Sequence, residues 1–314
     1  MIPGRWKARL SAAAPWISLA SGIWSAFFVV RRYEQARRVG WLLLVAWAMF
    51  GVVALLRRRR GQGRLERGAE FAAAWIGQSA AQEILFFTLP FWIRSTTWTS
   101  RNAPFTVLLV LVALTVAIDP IYRRILSNLR VAAVHKSLVQ FAALGFLLPV
   151  LRGAPTQGAL ALAGALAGGI AALAAGLRRP FLSALVGGFA GAALVVSGAA
   201  WIAPVPLRLE DPVLCSRVDG RLPVDTLETV RRGSEVWAWT PVFAPEGYRD
   251  DLLHVWHRDG REIARVPLRL EGGRKEGFRT WSSSRFVATT PGSLRLDVLN
   301  GAGQVVGRLR GRVE

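Results

Sequence analysis

Seven long apolar stretches, at about residues 12–30, 39–56, 69–93, 104–120, 131–151, 158–177 and 181–204, fill the first two thirds of the chain. A spanning helix needs about 20 mainly apolar residues, with a range of about 17–25. The pattern predicts a membrane α-helical bundle of about seven transmembrane helices. Six is the alternative, because the second and fourth stretches are short and the first holds Pro15. After Pro204-Val205-Pro206 the pattern changes to period two. Val266, Leu268 and Leu270 alternate with Arg265, Pro267 and Arg269; Leu294, Leu296 and Val298 alternate with Arg295 and Asp297. Leu309, Gly311 and Val313 alternate with Arg308, Arg310 and Arg312. Such alternation marks half-buried strands. Asp259-Gly260, Pro291-Gly292 and Asn300-Gly301 supply turns between them. The expected domains are a transmembrane helical part, 1–204, and a C-terminal all-β antiparallel sandwich, 205–314, immunoglobulin-like in size with roughly seven strands.

Charge sharpens this division. Residues 1–204 carry 22 Lys/Arg against 5 Asp/Glu, whereas residues 205–314 carry 18 against 15. The basic residues of the first part sit between apolar runs, which is how orientation in a bilayer is recorded. Nucleic-acid binders instead gather Lys/Arg on one face of a folded domain, so the net charge of +20 points to a membrane and not to nucleic acid. The N-terminus and the second, fourth and sixth loops hold 14 basic residues, against 7 in the first, third and fifth. The positive-inside rule then places the N-terminus in the cytoplasm and, with seven spans, the C-terminal domain in the periplasm of a bacterial inner membrane. Arg31, Arg32, Arg37 and Arg38 in the first outer loop run against the rule. The first stretch, preceded by Arg5, Lys7 and Arg9, lacks a small-x-small cleavage site and reads as an uncleaved helix.

Within the spans, Glu83 is the costliest residue, near mid-depth, with Gln78 and Gln82 close to it on one helical face. It is either an ionisable relay centre or a carboxyl held by neighbouring helices. Asp119 closes the fourth span and His135-Lys136 opens the fifth, so an Asp119–Lys136 or Asp119–His135 pair near the headgroups is expected. One histidine cannot make a metal site. Gly164 and Gly168, and Gly187 and Gly191, form G-x-x-x-G pairs in the sixth and seventh helices. Such faces let backbones approach closely, within one chain or in a homo-oligomer.

In the C-terminal part, Trp237 with Trp239, and His254 with Trp256, share a strand face in pairs, and tryptophans at this period usually fill a core. Arg279 and Ser282 flank Trp281, so a groove lined by His254, Trp256, Arg279, Trp281 and Ser282 is the candidate binding site. Arg308, Arg310 and Arg312 form a basic stripe. The lone Cys215 excludes an internal disulfide and reads as a small core residue. The segments Val236-Trp237-Ala238-Trp239-Thr240, His254-Val255-Trp256-His257-Arg258-Asp259-Gly260, Arg279-Thr280-Trp281-Ser282-Ser283, Pro291-Gly292 and Gly303-Gln304-Val305-Val306-Gly307 resemble, in order and spacing over 213–314, the bacterial domain of unknown function 2914. Leu294 stands where that family has Trp, and Gly311 where it has an aromatic residue. The whole arrangement is similar to uncharacterised bacterial membrane proteins that carry this domain at the C-terminus; the resemblance implies a fold and an address but no activity.

No H-E-x-x-H, G-x-S-x-G, Walker or C-x-x-C motif is present, so no catalytic residue, metal or cofactor is assigned. The expected function is that of an integral inner-membrane protein whose periplasmic domain binds an envelope glycan, peptide or protein partner. The alternative is a transporter or membrane enzyme centred on Glu83.

Overall fold

The computed structural model describes residues 41, 81–153, 156–174, 179–274, 276–285 and 290–314. A helix over 81–94 is followed by α1 (Ala103–Ala117), α2 (Asp119–Ser127), α3 (Leu129–Arg152), α4 (Thr156–Ala174) and α5 (Pro180–Ser197). The breaks follow local chemistry. Ile118 is extended as the N-cap of α2, whose first turn holds Pro120, and α1 and α2 are bent by 101° where they meet. Asn128 caps α3 by accepting from the backbone N–H groups of Arg130 and Val131, and Gly153 ends it at φ 59°.

The expected bundle of about seven transmembrane helices is corrected by these elements. Among the described residues three helices are long and apolar enough to cross a membrane: Leu129–Leu151, Thr156–Leu173 and Pro180–Ser197. The fourth apolar stretch ends as helix at Ala117, leaving α1 only 15 residues long, and it adds a span only if the bent pair α1–α2 counts as one. Hydropathy averages over a window and does not register where the helix within it stops. The first two stretches, except Trp41, and the start of the third lie outside the described residues, as do Gln78 and the arginines of the first loop.

α4 and α5 pack through their glycines. A Cβ on Gly164 would stand 2.6 Å from the Gly191 carbonyl oxygen, and one on Gly187 would stand 2.6 Å from the Gly168 oxygen. All four glycines of the two G-x-x-x-G pairs therefore face each other within one chain. On the opposite face of α5, Phe181 and Phe189 are each 78% exposed.

The C-terminal part forms two five-stranded sheets. The first contains β1 (Arg208–Leu209), β2 (Val213–Asp219), β3 (Leu222–Thr226), β5 (Val236–Phe243) and β8 (Phe278–Ser284); the second contains β4 (Thr229–Val230), β6 (Arg249–Arg258), β7 (Arg261–Glu271), β9 (Gly292–Asn300) and β10 (Val305–Val313). In the first sheet β8 flanks one side of β5, while β1 and β2 share the other side, separated by Asp211 at φ 44° and Pro212. The second sheet has the order β4-β10-β9-β6-β7. Its β4–β10 pair is parallel, so the sandwich is not wholly antiparallel as expected. Leu214, Val236, Ala238 and Val242 of one sheet and Leu252, Trp256, Leu296, Val298 and Leu309 of the other make a single core. Leu294 and Gly311 lie directly opposite each other on β9 and β10, and a Cβ on Gly311 would stand 2.6 Å from Leu214 Cδ1.

The β domain is bonded to one end of the helices. Gln304, fully buried, donates from Nε2 to the carbonyls of Ile202 (3.0 Å) and Ala203 (3.3 Å), while its Oε1 accepts from Asn300 Nδ2 at 2.8 Å. Asn102 Nδ2 donates to the Val305 carbonyl at 2.9 Å, and Arg308 donates to the Thr99 carbonyl. Thr156, at the start of α4, hydrogen-bonds Tyr248 and donates to Asp250 at 2.7 Å. Phe243 and Ala302 pack against the helical core. The loop over 95–102, the start of α4 at Thr156 and the connector over 198–206 therefore all lie at the domain's end of the helices.

Candidate functional site

Strand parity divides the expected groove in two. Along β8, Thr280, Ser282 and Ser284 are buried, whereas Arg279, Trp281 and Ser283 face outward and are half-buried. The structure accordingly brings His254, Trp256 and Ser282 together inside the sandwich and puts Arg279 and Trp281 on its surface.

The inner group is a hydrogen-bonded seam between the sheets. His254, fully buried on β6, reaches Ser282 Oγ with Nδ1 (2.7 Å) and Thr240 Oγ1 with Nε2 (2.9 Å). Trp256 Nε1 donates to the same Ser282 oxygen at 3.1 Å. Thr240 and Thr280 hydroxyls lie 2.8 Å apart, and Thr280 donates onward to the Thr240 carbonyl at 2.6 Å. Burial lowers the His254 pKa to about 4, so the imidazole is neutral at physiological pH. A serine beside a histidine suggests a nucleophile and its base, but none of these side chains reaches solvent. Their chemistry is structural: the side chains of His254, Trp256, Ser282, Thr240 and Thr280 find partners in one another and in the Thr240 carbonyl. Thr240 and Thr280 were missed in the sequence. Their signal was parity with His254 and Ser282 in strands expected to face one another.

The outer group forms a cleft of about 470 Å³ beside the β7 and β8 edges, lined by Arg221, Arg269, Arg274, Phe278, Arg279 and Trp281 among others. Trp281 lies directly opposite Trp239 in register, and Trp237 follows on the same outer face of β5. Trp239 Nε1 donates to the Arg221 carbonyl at 3.2 Å. Arg221 belongs to the β2–β3 turn, where it and Gly220 both have positive φ. Since Val213 is the β2 residue opposite Trp239, a flat hairpin would put the turn about 20 Å away. The hydrogen bond therefore requires the hairpin to curl back over the tryptophans. The Arg274 guanidinium lies 5.3 Å from the Phe278 ring centroid. No carboxylate lines this cleft among the described residues; Asp251, opposite Arg269 in register, lines a neighbouring one with Arg249 and Glu271.

The remaining expected residues scatter. In the helix over 81–94, Gln82 is buried and Glu83 exposed. His135 Nε2 pairs with Thr115 Oγ1 at 2.9 Å and its ring meets Tyr122 edge-on at 5.7 Å, so the histidine's partner is a hydroxyl. Lys136 is exposed, and the Asp119 side chain lies outside what is described. Cys215 is buried, and desolvation pushes its thiol pKa up. No group of three or more His, Cys, Asp and Glu side chains suits a metal ion among the described residues.

A family model described as a family of unknown function, DUF5924, matches residues 5–234, well over half of the chain. The chain belongs to DUF5924. A second model, the protein of unknown function DUF2914, matches residues 249–313. This DUF5924 chain thus carries its two family segments on either side of β5, within the sandwich and not at the end of the helices. No curated protein matches it. Among solved structures, alkylpurine DNA glycosylase AlkC of Pseudomonas fluorescens bound to abasic-site DNA aligns at 12% identity over 76% of this chain and 77% of that one. Its TM-score is 0.25, too low to bear on the fold or function of the DUF5924 chain.

Proposed function

We propose that this DUF5924 chain is an integral membrane protein of the bacterial envelope whose C-terminal sandwich, standing on the periplasmic ends of the helices, binds an envelope glycan at the Trp281 cleft. The observation that carries the reading is the in-register pair Trp239–Trp281 on an outer sheet face, half-buried beside Arg279. Trp256, by contrast, points inward into the core. The Trp281 indole offers the cleft an apolar wall for a sugar ring, with Arg279 beside it to orient the sugar. Membrane insertion is supported by the three apolar helices and by Trp98 and Trp201. Those two tryptophans are 55% and 52% exposed at the end of the helices that meets the domain, where an interfacial aromatic belt belongs.

Co-sedimentation of the detergent-solubilised full chain with peptidoglycan sacculi tests the reading. Trp281→Ala is expected to weaken the association by about tenfold, since one stacked aromatic contributes on the order of 1 kcal/mol or more. Retention unchanged by Trp281→Ala and by Trp239→Ala overturns glycan binding at this face. Loss of retention only on replacing residues far from the cleft points to a protein or peptide partner instead.

A further inference from the structure

We infer that the ligand of the Trp281 cleft is anionic and is met at the bilayer surface: an acidic group, carboxylate or phosphate, borne by a free saccharide or by a lipid headgroup. The inference rests on the binding reading above and adds the charge and the location of what is bound.

Four arginines from separate parts of the fold converge on the cleft. Arg221 comes from the β2–β3 turn, Arg269 from β7, Arg274 from the β7–β8 loop and Arg279 from β8. Bringing like charges together is unfavourable without a counter-charge. Several arginines elsewhere in this domain meet acids: Arg308 holds Asp297 with two hydrogen bonds (2.5 and 3.2 Å), Arg265 pairs with Glu262, and Arg249 with Glu271 at 3.1 Å. In the cleft, Arg274 is placed over the Phe278 ring and no carboxylate completes the lining among the described residues. Asp251, opposite Arg269 in register, lines the neighbouring cleft, so the cross-strand acid serves Arg269 and not Arg221, Arg274 or Arg279. The guanidinium fork matches carboxylate and phosphate oxygens in pairs, and several forks around one concavity suit a group with more than one such oxygen. Trp281 provides an apolar wall for the body of the same ligand.

The height of the cleft follows from the junction. Phe278 pairs with Val242, whose neighbour Phe243 packs on the helical core. The loop that carries Arg274 is bonded to the chain just before β6: Gly272 N–H donates to the Tyr248 carbonyl (2.8 Å) and Gly273 N–H to that of Ala244 (3.0 Å). Tyr248 in turn bonds Thr156 at the start of α4. Trp281 lies three residues past Phe278, about 10 Å further along the strand. The floor of the cleft is thus at the helix ends, within reach of headgroups.

The test uses the full chain in phosphatidylcholine nanodiscs, titrated with trigalacturonate and with neutral galactotriose, and the same chain in nanodiscs containing phosphatidylglycerol. Affinity by thermophoresis is read with hydrogen exchange over residues 269–281. Trigalacturonate is expected to bind on the order of tenfold or more tightly than galactotriose, with affinity falling as salt is raised. The pair Arg274→Gln and Arg279→Gln should erase that preference and leave weak galactotriose binding in place. Protection of 269–281 by phosphatidylglycerol alone identifies a headgroup as the source; protection only by trigalacturonate identifies a free acid. Equal binding of acidic and neutral trisaccharides, lost in Trp281→Ala, overturns the anionic inference and leaves glycan binding standing. No binding and no protection under any condition overturns both. Unchanged thermal unfolding of each variant shows that the domain has kept its fold.

Discussion

At the scale of single residues, the inter-sheet seam makes the domain's stability depend on pH. His254 titrates at about 4 in the folded domain, because burial disfavours its charged form, against 6.5 when exposed. Above pH 6.5 both states leave the imidazole neutral and its contribution is complete. As pH falls from 6.5 toward 4 the unfolded chain takes up the proton first, so stability falls over that window, by about 3 kcal/mol in all. Thermal unfolding of the full chain at pH 7 and pH 5 measures the slope. His254→Gln, which retains an amide for Ser282 or Thr240, is expected to be less stable at pH 7 by about 1–3 kcal/mol and to flatten the slope between pH 6.5 and 4. A slope of the same size in the variant assigns the effect to another group. Period-two spacing made the shared face of His254 and Trp256 legible, and Trp256 lies in the core. The same spacing puts Trp281 and Ser282 on opposite faces of β8, so parity alone excludes a groove that contains both. Arg221 and Arg274 could not be read in this way. They reach the cleft through a curled hairpin and a loop, and hydrophobic alternation encodes neither.

At the scale of elements, the α4–α5 pair shows how far composition reaches. The glycine spacing identified the contact faces, and the structure pairs them inside one chain, with backbone atoms where any Cβ would stand. Gly187→Leu is expected to force the helices apart and to destabilise the pair by about 1–3 kcal/mol or more, as overpacking does. Gly158, whose Cβ would meet nothing within 4 Å, is the control. Gly158→Ala should be neutral or slightly stabilising, because alanine favours helix by about 1 kcal/mol. Thermal melts in detergent, with intramolecular crosslinking between cysteines placed on α4 and α5, distinguish the two. Crosslinking undiminished in Gly187→Leu would show that other contacts hold the pair. The fourth apolar stretch teaches the opposite lesson. A window of hydropathy counted it as a span, whereas α1 stops at Ala117 after 15 residues and Asp119-Pro120 opens another helix at a steep angle.

At the scale of the whole molecule, the sandwich and the helices are joined by side chains whose polar partners lie across the junction. Gln304 is the clearest case. It sits in the tight turn between β9 and β10, where Asn300 Oδ1 accepts from the Gln304 N–H at 2.9 Å, and its amide is spent on two connector carbonyls. Its place in the segment Gly303-Gln304-Val305 marked it in the sequence, but nothing there said what it touched, because the connector lies about a hundred residues away. Gln304→Leu fills similar volume and leaves the Ile202 and Ala203 carbonyls without that donor in a buried place. The cost is about 1–3 kcal/mol. Because Asn102, Thr156 and Arg308 still hold the junction, the loss should appear as local opening and not as global unfolding. Hydrogen exchange is expected to quicken over 199–207 and 300–306, while β6 and β9 stay protected. Combining Gln304→Leu with Asn102→Ala removes contacts from both helical loops that meet β10, so exchange should rise by more than the sum of the two single variants. Simple additivity would mean that the two loops hold the domain independently. If the domain swings on this junction, the cleft moves relative to the bilayer, and the double variant should lose phosphatidylglycerol protection of 269–281 while keeping its affinity for trigalacturonate in solution. A headgroup site needs the junction to be rigid, whereas a site for a free saccharide does not.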